Sequence, residues 1–482
     1  MLEFEPFSVA SLQKAIPFLR AFPRPCSDMS AGSLFMWEPG TDLGFCVRND
    51  TLVIRQEVNG QTAFSWPAGN DPSGTAGELI EYALANHLPL RFFAVDSETL
   101  ERILADARFE ASMWSYDPRW SDYVYSFGDA MTFPGPKFHS QRNHVNKFTR
   151  LYGAPDVRFL TAADLSAVYE MLAEYEDSHS DMNLLERLEF EQSKRLLSVY
   201  GSLGLYAAGL FVDGRVAAFS VGEISGNTLF IHVEKALSRY EGAYPVMYSG
   251  FVRLMDDASG HTLTLVNRED DSGDPGIRIS KNRYHPVAKV DKYLVHVNAP
   301  FKRLSSLPDI PAGPALLTPF RDADKKAYFE LCTDIRNNKY WGYDYREDYT
   351  LTGPVDENTF YDSAMYDMAV GDSINFAIRL REGGEMAGEA ILWNFTHDNY
   401  AELGCRLLPR FQGNGLGAAA FKAAAEFAEE SLGLKVYARC FRENAPSRGM
   451  IVSSGFTQCF EDKPFLYFCR GGAGCPQAFG NN

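Results

Sequence analysis

Short apolar or alternating runs recur along the whole chain and read as β-strands. They are Gly44–Ile54, Pro89–Val95, Asp122–Tyr125, Leu205–Phe211, Arg215–Glu223, Thr228–Val233, Leu263–Val266, Ile374–Leu380, Ala387–Trp393, Tyr400–Leu407 and Leu434–Cys440. Between them, Ala76–Asn86, Ala162–Tyr175, Leu185–Tyr200, Ala323–Asn337 and Ala418–Ser431 place apolar residues every three or four positions, the period of an amphipathic helix. Strands and helices that alternate without long structureless stretches predict a mixed α/β (α+β) fold.

Two segments share a layout. Residues 205–235 and 374–407 each hold a strand, a tight glycine turn (Asp213-Gly214 and Gly383-Gly384), a second strand, a polar turn and a third strand. Each predicts a three-strand antiparallel meander followed by a helix and a further strand. Breaks are expected at Gly153-Ala154-Pro155 and along Ala299–Pro319, where five prolines forbid a continuous helix. At roughly 150 residues per domain, 482 residues divide into three units: 1–153, 154–300 and 315–482, with 301–314 as a linker.

The composition, 45% apolar and 23% charged, is that of a globular protein. No apolar run approaches the ~20 residues of a membrane span, and the start of the chain has no basic region leading into an apolar one, so a cytoplasmic location is expected. The net charge of -17 disfavours coating by nucleic acid, tRNA included. Eight scattered cysteines without a CxxC pair and nine histidines without ligand spacing predict reduced thiols and no metal site.

The richest motif is ELGCRLLPRFQGNGLG, Glu402–Gly417, followed by the apolar helix AAAFKAAAEFAEESLG. A strand here runs into Gln412-Gly413-Asn414-Gly415-Leu416-Gly417, which opens a helix. Glycines allow a tight turn and close backbone approach, while the first helical N–H groups and the helix dipole favour an anion. Neither a Walker A lysine nor the early position of a dinucleotide fingerprint is present. Together with the strand LKVYARC and the block ENAPSRGMIVSSGF, this motif resembles the GNAT superfamily of N-acetyltransferases over about residues 315–470.

That resemblance implies acetyl-CoA, or another acyl-CoA, as cofactor. It implies that Leu407, Gln412, Gly413, Asn414, Gly415, Gly417, Ala418, Asn444 and Ser447 hold it. Asn444 suits a helix N-cap equally well. The family's tyrosine, four residues after the serine, is here Ile451, which cannot protonate a leaving thiolate. A general base must still take a proton from an amine acceptor; Glu402 and Glu389 are the candidates, and a solvated carboxylate or an ion pair with Arg406 is the alternative for either. The resemblance sets Asn444 against the cofactor arm, which makes it the third catalytic candidate. Strand parity places Glu402 on one face with Gly404 and Arg406.

In the first 300 residues three blocks stand out: Ser27–Trp37, Lys137–His144, and Asn267–Asp271 with Gly276–Lys281. They resemble the soluble family named for the C-terminal domain of phosphatidylglycerol lysyltransferase. The resemblance implies two GNAT-like folds in tandem, hence three in the chain, and kinship with enzymes that move an aminoacyl group from tRNA. Lys137, Arg142, His144, Arg268, Arg278 and Lys281 concentrate positive charge and form a candidate second site for an anion; a salt-bridge network between the first two units is the alternative. The second unit's Glu241-Gly242-Ala243-Tyr244-Pro245 lacks a cradle, because it has one glycine and Pro245 lacks an N–H.

Three functions follow from these residues. The first is acyl transfer from acetyl-CoA to a small-molecule or peptide amine by the C-terminal unit, with the tandem as second site or acceptor platform. The second is aminoacyl-tRNA-dependent transfer by residues 1–300. The third is a non-catalytic acyl-CoA-binding scaffold.

Overall fold

The computed structural model describes residues 2–470, apart from 59–60, 110–111, 298–303, 305, 349–350 and 352. Three mixed sheets flanked by helices make up the described chain. The first runs Glu5–Pro6, Gly44–Arg48, Thr51–Val58, Gln61–Ser65, Arg91–Val95, Tyr293–His296, Met113–Tyr116, with Ala68–Gly69 paired to Thr51–Val58. The second runs Ala288–Val290, Asp122–Ser126, Leu265–Asn267, Thr228–Ala236, Arg215–Ser225, Tyr206–Val212, Asp156–Phe159. The third runs Ile310–Ala312, Ala315–Thr318, Ser373–Leu380, Met386–Trp393, Tyr400–Leu407, Lys435–Phe441, Phe465–Cys469, Thr457–Glu461.

One path recurs in all three sheets. Antiparallel strands end in a strand that pairs in parallel with the next, across a helical connection: Gln61–Ser65 with Arg91–Val95, Thr228–Ala236 with Leu265–Asn267, and Tyr400–Leu407 with Lys435–Phe441. A parallel pair needs such a crossover, supplied here by helices Pro72–Ala85, Ala243–Ser259 and Leu416–Leu432. The two meanders expected from the shared layout are present, as Tyr206–Val212, Arg215–Ser225, Thr228–Ala236 and as Ser373–Leu380, Met386–Trp393, Tyr400–Leu407.

The expected boundaries need correction. Strand Asp122–Ser126 already belongs to the second sheet, and Tyr293–His296 returns to the first. Gly153-Ala154-Pro155 marks only the turn between helix His139–Tyr152 and edge strand Asp156–Phe159. Strand pairing is non-local, so local turn residues could not reveal the exchange. The expected linker 301–314 is likewise shortened, since Ile310–Ala312 is an edge strand of the third sheet; 301–303 and 305 lie outside the described residues.

A shared core joins the first two sheets. Leu34, Phe35 and Met36 of helix Ala31–Met36 share one apolar cluster with Phe190 and Leu196 of helix Leu184–Val199 and with Phe219 and Val221. The third sheet has its own core, into which the alanine-rich helix Leu416–Leu432 presses Ala420, Phe421, Ala424 and Ala428. This unit meets the first through His87 and Asp398, 2.5 Å apart, and through Asp372, which lies 3.5 Å from His296 and 3.6 Å from Arg91.

Candidate active site

Helix Leu416–Leu432 begins at Gly415 (φ +74°), one residue after Asn414 and two after Gly413 (φ +85°). Both glycines occupy the left-handed region that side chains disfavour, and a Cβ on either would meet nothing within 4 Å. The turn therefore faces open space. Among the described residues, the backbone amides of Gly413, Asn414, Gly415, Leu416, Gly417 and Ala418 meet no acceptor; the first helical amide bonded in the turn is Ala419, to Gly415 O at 3.1 Å. Unbonded amides at the positive end of a helix dipole are suited to an anion, which makes this turn a candidate cradle for one.

The cradle is braced from below. Gln412 Nε2 donates to Leu407 O and to Asn337 Oδ1, both at 2.9 Å, and Asn337 Nδ2 donates to Leu407 O at 3.0 Å. Gly417 packs tightly, since a Cβ there would stand 3.1 Å from Met450 Sδ and 3.4 Å from Leu407 Cδ1. Gln412 and Leu407 thus shape the turn.

Beside the cradle the sheet splits. Strands Tyr400–Leu407 and Lys435–Phe441 pair in parallel only as far as Glu402 and Tyr437, yet both continue beyond that point. The backbone edge of residues 403–407 facing the split is left without a strand partner. It leads from the cradle to the apex of the wedge, where an extended chain could complete the ladder. The free amides, the open turn and this edge fit the diphosphate and extended arm of a coenzyme A thioester.

Two carboxylates lie on this strand pair, at different depths. Glu402, opposite Trp393, sits at the apex and is 3% exposed; Arg439 Nε donates to it at 2.9 Å and the Tyr437 hydroxyl at 3.0 Å. Glu389, opposite Arg406 and 1% exposed, takes the Arg406 Nε at 2.8 Å. Glu402, Gly404 and Arg406 do share a face. Glu402 has a cation other than the expected Arg406, because the neighbouring strand brings Arg439 to it. Asn444 serves as N-cap of helix Ala445–Ser453, its Oδ1 accepting from Ser447 N at 3.2 Å. Ile451 of this helix is part of the apolar core and offers no proton donor.

A second concavity, of about 860 Å³, opens between the first two sheets. Blocks Ser27–Trp37 and Asn267–Lys281 meet there. Lys292 Nζ lies 2.6, 2.7 and 3.1 Å from carboxylate oxygens of Asp28, Asp122 and Asp270. His232 bridges Glu223 (3.0 Å) and Glu269 (2.7 Å). Burial opposes its charged form, but the hydrogen bonds to Glu223 and Glu269 prevail and lift it to about 10, so it stands there as imidazolium. Arg268 pairs with Glu234 at 3.1 Å, its guanidinium 4.4 Å from the Tyr248 ring centre. Burial lowers the Lys281 amine to about 8 against the charge of Asp270; its Nζ donates to the carbonyls of Arg268, Glu269 and Asp270.

Residues 20–296, more than half the chain, match the family model described as phosphatidylglycerol lysyltransferase, C-terminal, and 315–457 match that of the acetyltransferase (GNAT) domain. The chain belongs to the phosphatidylglycerol lysyltransferase C-terminal family. A conserved protein of unknown function from Bacteroides thetaiotaomicron is similar, 28% identical with a TM-score of 0.57, over 62% of this chain and all of that one. The structure of L-PGS from Bacillus licheniformis is 14% identical with a TM-score of 0.43, over 59% of this chain and 91% of that one. The uncharacterized protein MYCGA3080 of Mycoplasmoides gallisepticum is 25% identical over 37% of this chain, and the chain spans about half (56%) of that relative's length.

Within the lysyltransferase-family tandem, the six basic residues expected to form one anion site do not come together. Arg268 and Lys281 line the cavity, whereas Lys137, Arg142 and His144 do not. Lys137 pairs with Asp129 at 2.7 Å, Arg142 holds the carbonyls of Phe133 and Gly135, and His144 is exposed. Arg278 binds Asp271 through two hydrogen bonds of 2.9 Å. The physical reason is local compensation: each of these cations except His144 is matched by a carboxylate or a carbonyl before any ligand arrives. The cavity carries instead an excess of acids, Asp28, Glu186, Glu189, Glu234, Glu269, Asp270 and Asp274.

Sequence reading missed His232 and Lys292, which stand alone in their strand and loop. Only the pairing of distant segments brings carboxylates to them. The second unit's lack of a cradle has a direct cause: a Cβ on Gly242 would stand 2.3 Å from His144 O, so helix His139–Tyr152 covers the start of helix Ala243–Ser259.

Proposed function

We propose that the C-terminal unit binds acetyl-CoA, or another acyl-CoA, and passes its acyl group to an amine. The observation that carries this reading is the row of unbonded amides from Gly413 to Ala418 at the head of a strand edge that has lost its partner. In this reading the cofactor supplies an activated thioester. The amides of Gly413, Asn414, Gly415, Gly417 and Ala418 hold its diphosphate, while Gln412 and Leu407 keep the turn in shape. Asn444 and Ser447 stabilise the helix beside the arm. Glu402 at the apex takes the proton of the amine, and Arg439 and Tyr437 fix its orientation. Glu389 neutralises Arg406 and holds the strand pair. Calorimetric titration of the full chain with acetyl-CoA, followed by mass spectrometry of an amine panel, tests the reading. Binding without any product would favour an acyl-CoA-binding scaffold.

A second reading concerns the tandem. Its cavity is rich in carboxylates and its own cations are engaged, which suits a cationic group such as a basic aminoacyl moiety. Filter binding with lysyl-tRNA over a salt series, compared with uncharged tRNA, tests it. Equal retention of the two at every salt concentration would refute it.

A further inference from the structure

The apex of the split strand pair has a wall of two indoles. Gly404 is the second residue beyond the last parallel pair, Glu402 with Tyr437. A Cβ on Gly404 would stand 2.6 Å from Trp393 Cζ3 and 3.2 Å from Trp341 Cη2. The two indoles therefore fill the space that a side chain would take, and their ring centres are 6.1 Å apart at 49°.

Neither ring is loosely placed. Trp393 sits in a strand directly across from Glu402. Trp341 lies 4.4 Å beneath the Arg406 guanidinium, which is itself held by Glu389 Oε1 at 2.8 Å, Asn338 Oδ1 at 3.1 Å and Cys332 Sγ at 3.2 Å. Arg406 is almost wholly enclosed, so this clamp is built into the core of the unit.

Resting on the acyl-CoA reading above, we infer that Trp341 and Trp393 gauge the acyl group and admit only a short one, an acetyl. A ligand anchored at the cradle and laid along residues 407 to 403 presents its free end at this wall. From Leu407 to Gly404 is about 10 Å of strand, at roughly 3.3 Å per residue. Each added methylene must then displace a clamped ring, and discrimination of ten- to a hundredfold per group is the usual scale in such a pocket.

Calorimetry of the full chain with CoA, acetyl-CoA, butyryl-CoA and octanoyl-CoA tests the inference without requiring an acceptor. The expected result is at least tenfold weaker binding of butyryl-CoA than of acetyl-CoA, on the order set by one or two excluded methylenes. Trp393→Ala and Trp341→Ala should each shrink that ratio, with the affinity for CoA itself retained. Trp393→Phe, which keeps a ring in the sheet, should give an intermediate ratio and guards against a variant that misfolds. A flat chain-length series with intact CoA binding, or alanine variants that keep the wild-type ratio, would overturn the gauge and leave the acyl-CoA reading standing. Failure of CoA itself to bind would overturn both.

Discussion

Gly32 lies face to face with the imidazole of His232, and a Cβ on Gly32 would stand 2.3 Å from His232 Cδ2. The contact crosses from a helix on the first sheet to a strand of the second. Gly32 N also donates to Glu223 Oε1 at 2.7 Å, and the same oxygen meets His232 Nε2. One glycine thus lets a backbone amide and an imidazolium share a buried carboxylate. Gly32→Ala should force the ring and its two carboxylates apart. Overpacking of this kind costs about 1–3 kcal/mol, and guanidinium unfolding followed by tryptophan fluorescence should record the loss. An unchanged midpoint would mean that the two sheets are not held together here.

The same histidine predicts a pH dependence. Its folded-state value is raised to about 10 from the ordinary 6.5, because the hydrogen bonds and charges of Glu223 and Glu269 outweigh burial. A raised value means that the folded state binds the proton more tightly. The stability it contributes is complete below the unfolded value of about 6.5 and drains away as pH rises toward 10. The difference in unfolding free energy between wild type and His232→Gln should therefore narrow steadily from pH 7 to pH 10. A constant difference across that interval would show that His232 is neutral in the folded protein.

The cradle makes a prediction of its own. Gly415→Asp places a carboxylate where a diphosphate is expected, at a residue whose φ of +74° already disfavours a side chain. Affinity for acetyl-CoA should fall by about a hundredfold or more, as repulsion replaces hydrogen bonds to a charged group. Gly415→Ala separates the two effects: it shares the backbone strain, about 1–2 kcal/mol, but adds no charge, and should keep most of the affinity. Equal losses in the two variants would make the turn a purely structural feature.

The strands that carry an apolar run of their own were legible: Tyr400–Leu407 matches its expected limits, although the single run Gly44–Ile54 is a hairpin of Gly44–Arg48 and Thr51–Val58. Helix Leu416–Leu432 opens two residues before its own expected start. Helix Ala323–Asn337 was expected whole but is divided, because Asp334 leaves the helix and caps a new one at Arg336 and Asn337. Helix His139–Tyr152 hid behind its basic surface, with only Gln141 and Phe148 buried. The cradle was readable since its chemistry is local backbone chemistry. The Glu402–Arg439 pair, the Lys292 cluster and the Trp341–Trp393 wall were not, because each joins residues from separate strands or loops. Charge in the sequence marked Lys137, Arg142 and Arg278 as candidate anion ligands or members of a salt-bridge network, and only the fold reveals the carboxylates and carbonyls that occupy them.

Glu402 offers the sharpest test of chemistry as distinct from binding. Its carboxylate is buried at the apex, away from the amide cradle, and is fixed by Tyr437 and Arg439. Glu402→Gln preserves the shape and can still accept a hydrogen bond from Arg439, but it cannot take a proton. With an amine acceptor in hand, kcat should fall by about a hundredfold, the lower end of what a positioned base contributes, while the affinity for acetyl-CoA holds. The rise of kcat/KM with pH should also become steeper and shift upward in the variant, since only the already neutral fraction of the amine could then react. A variant with wild-type kcat and the same pH profile would remove Glu402 from the proton path and leave it as the partner that keeps Arg439 in place.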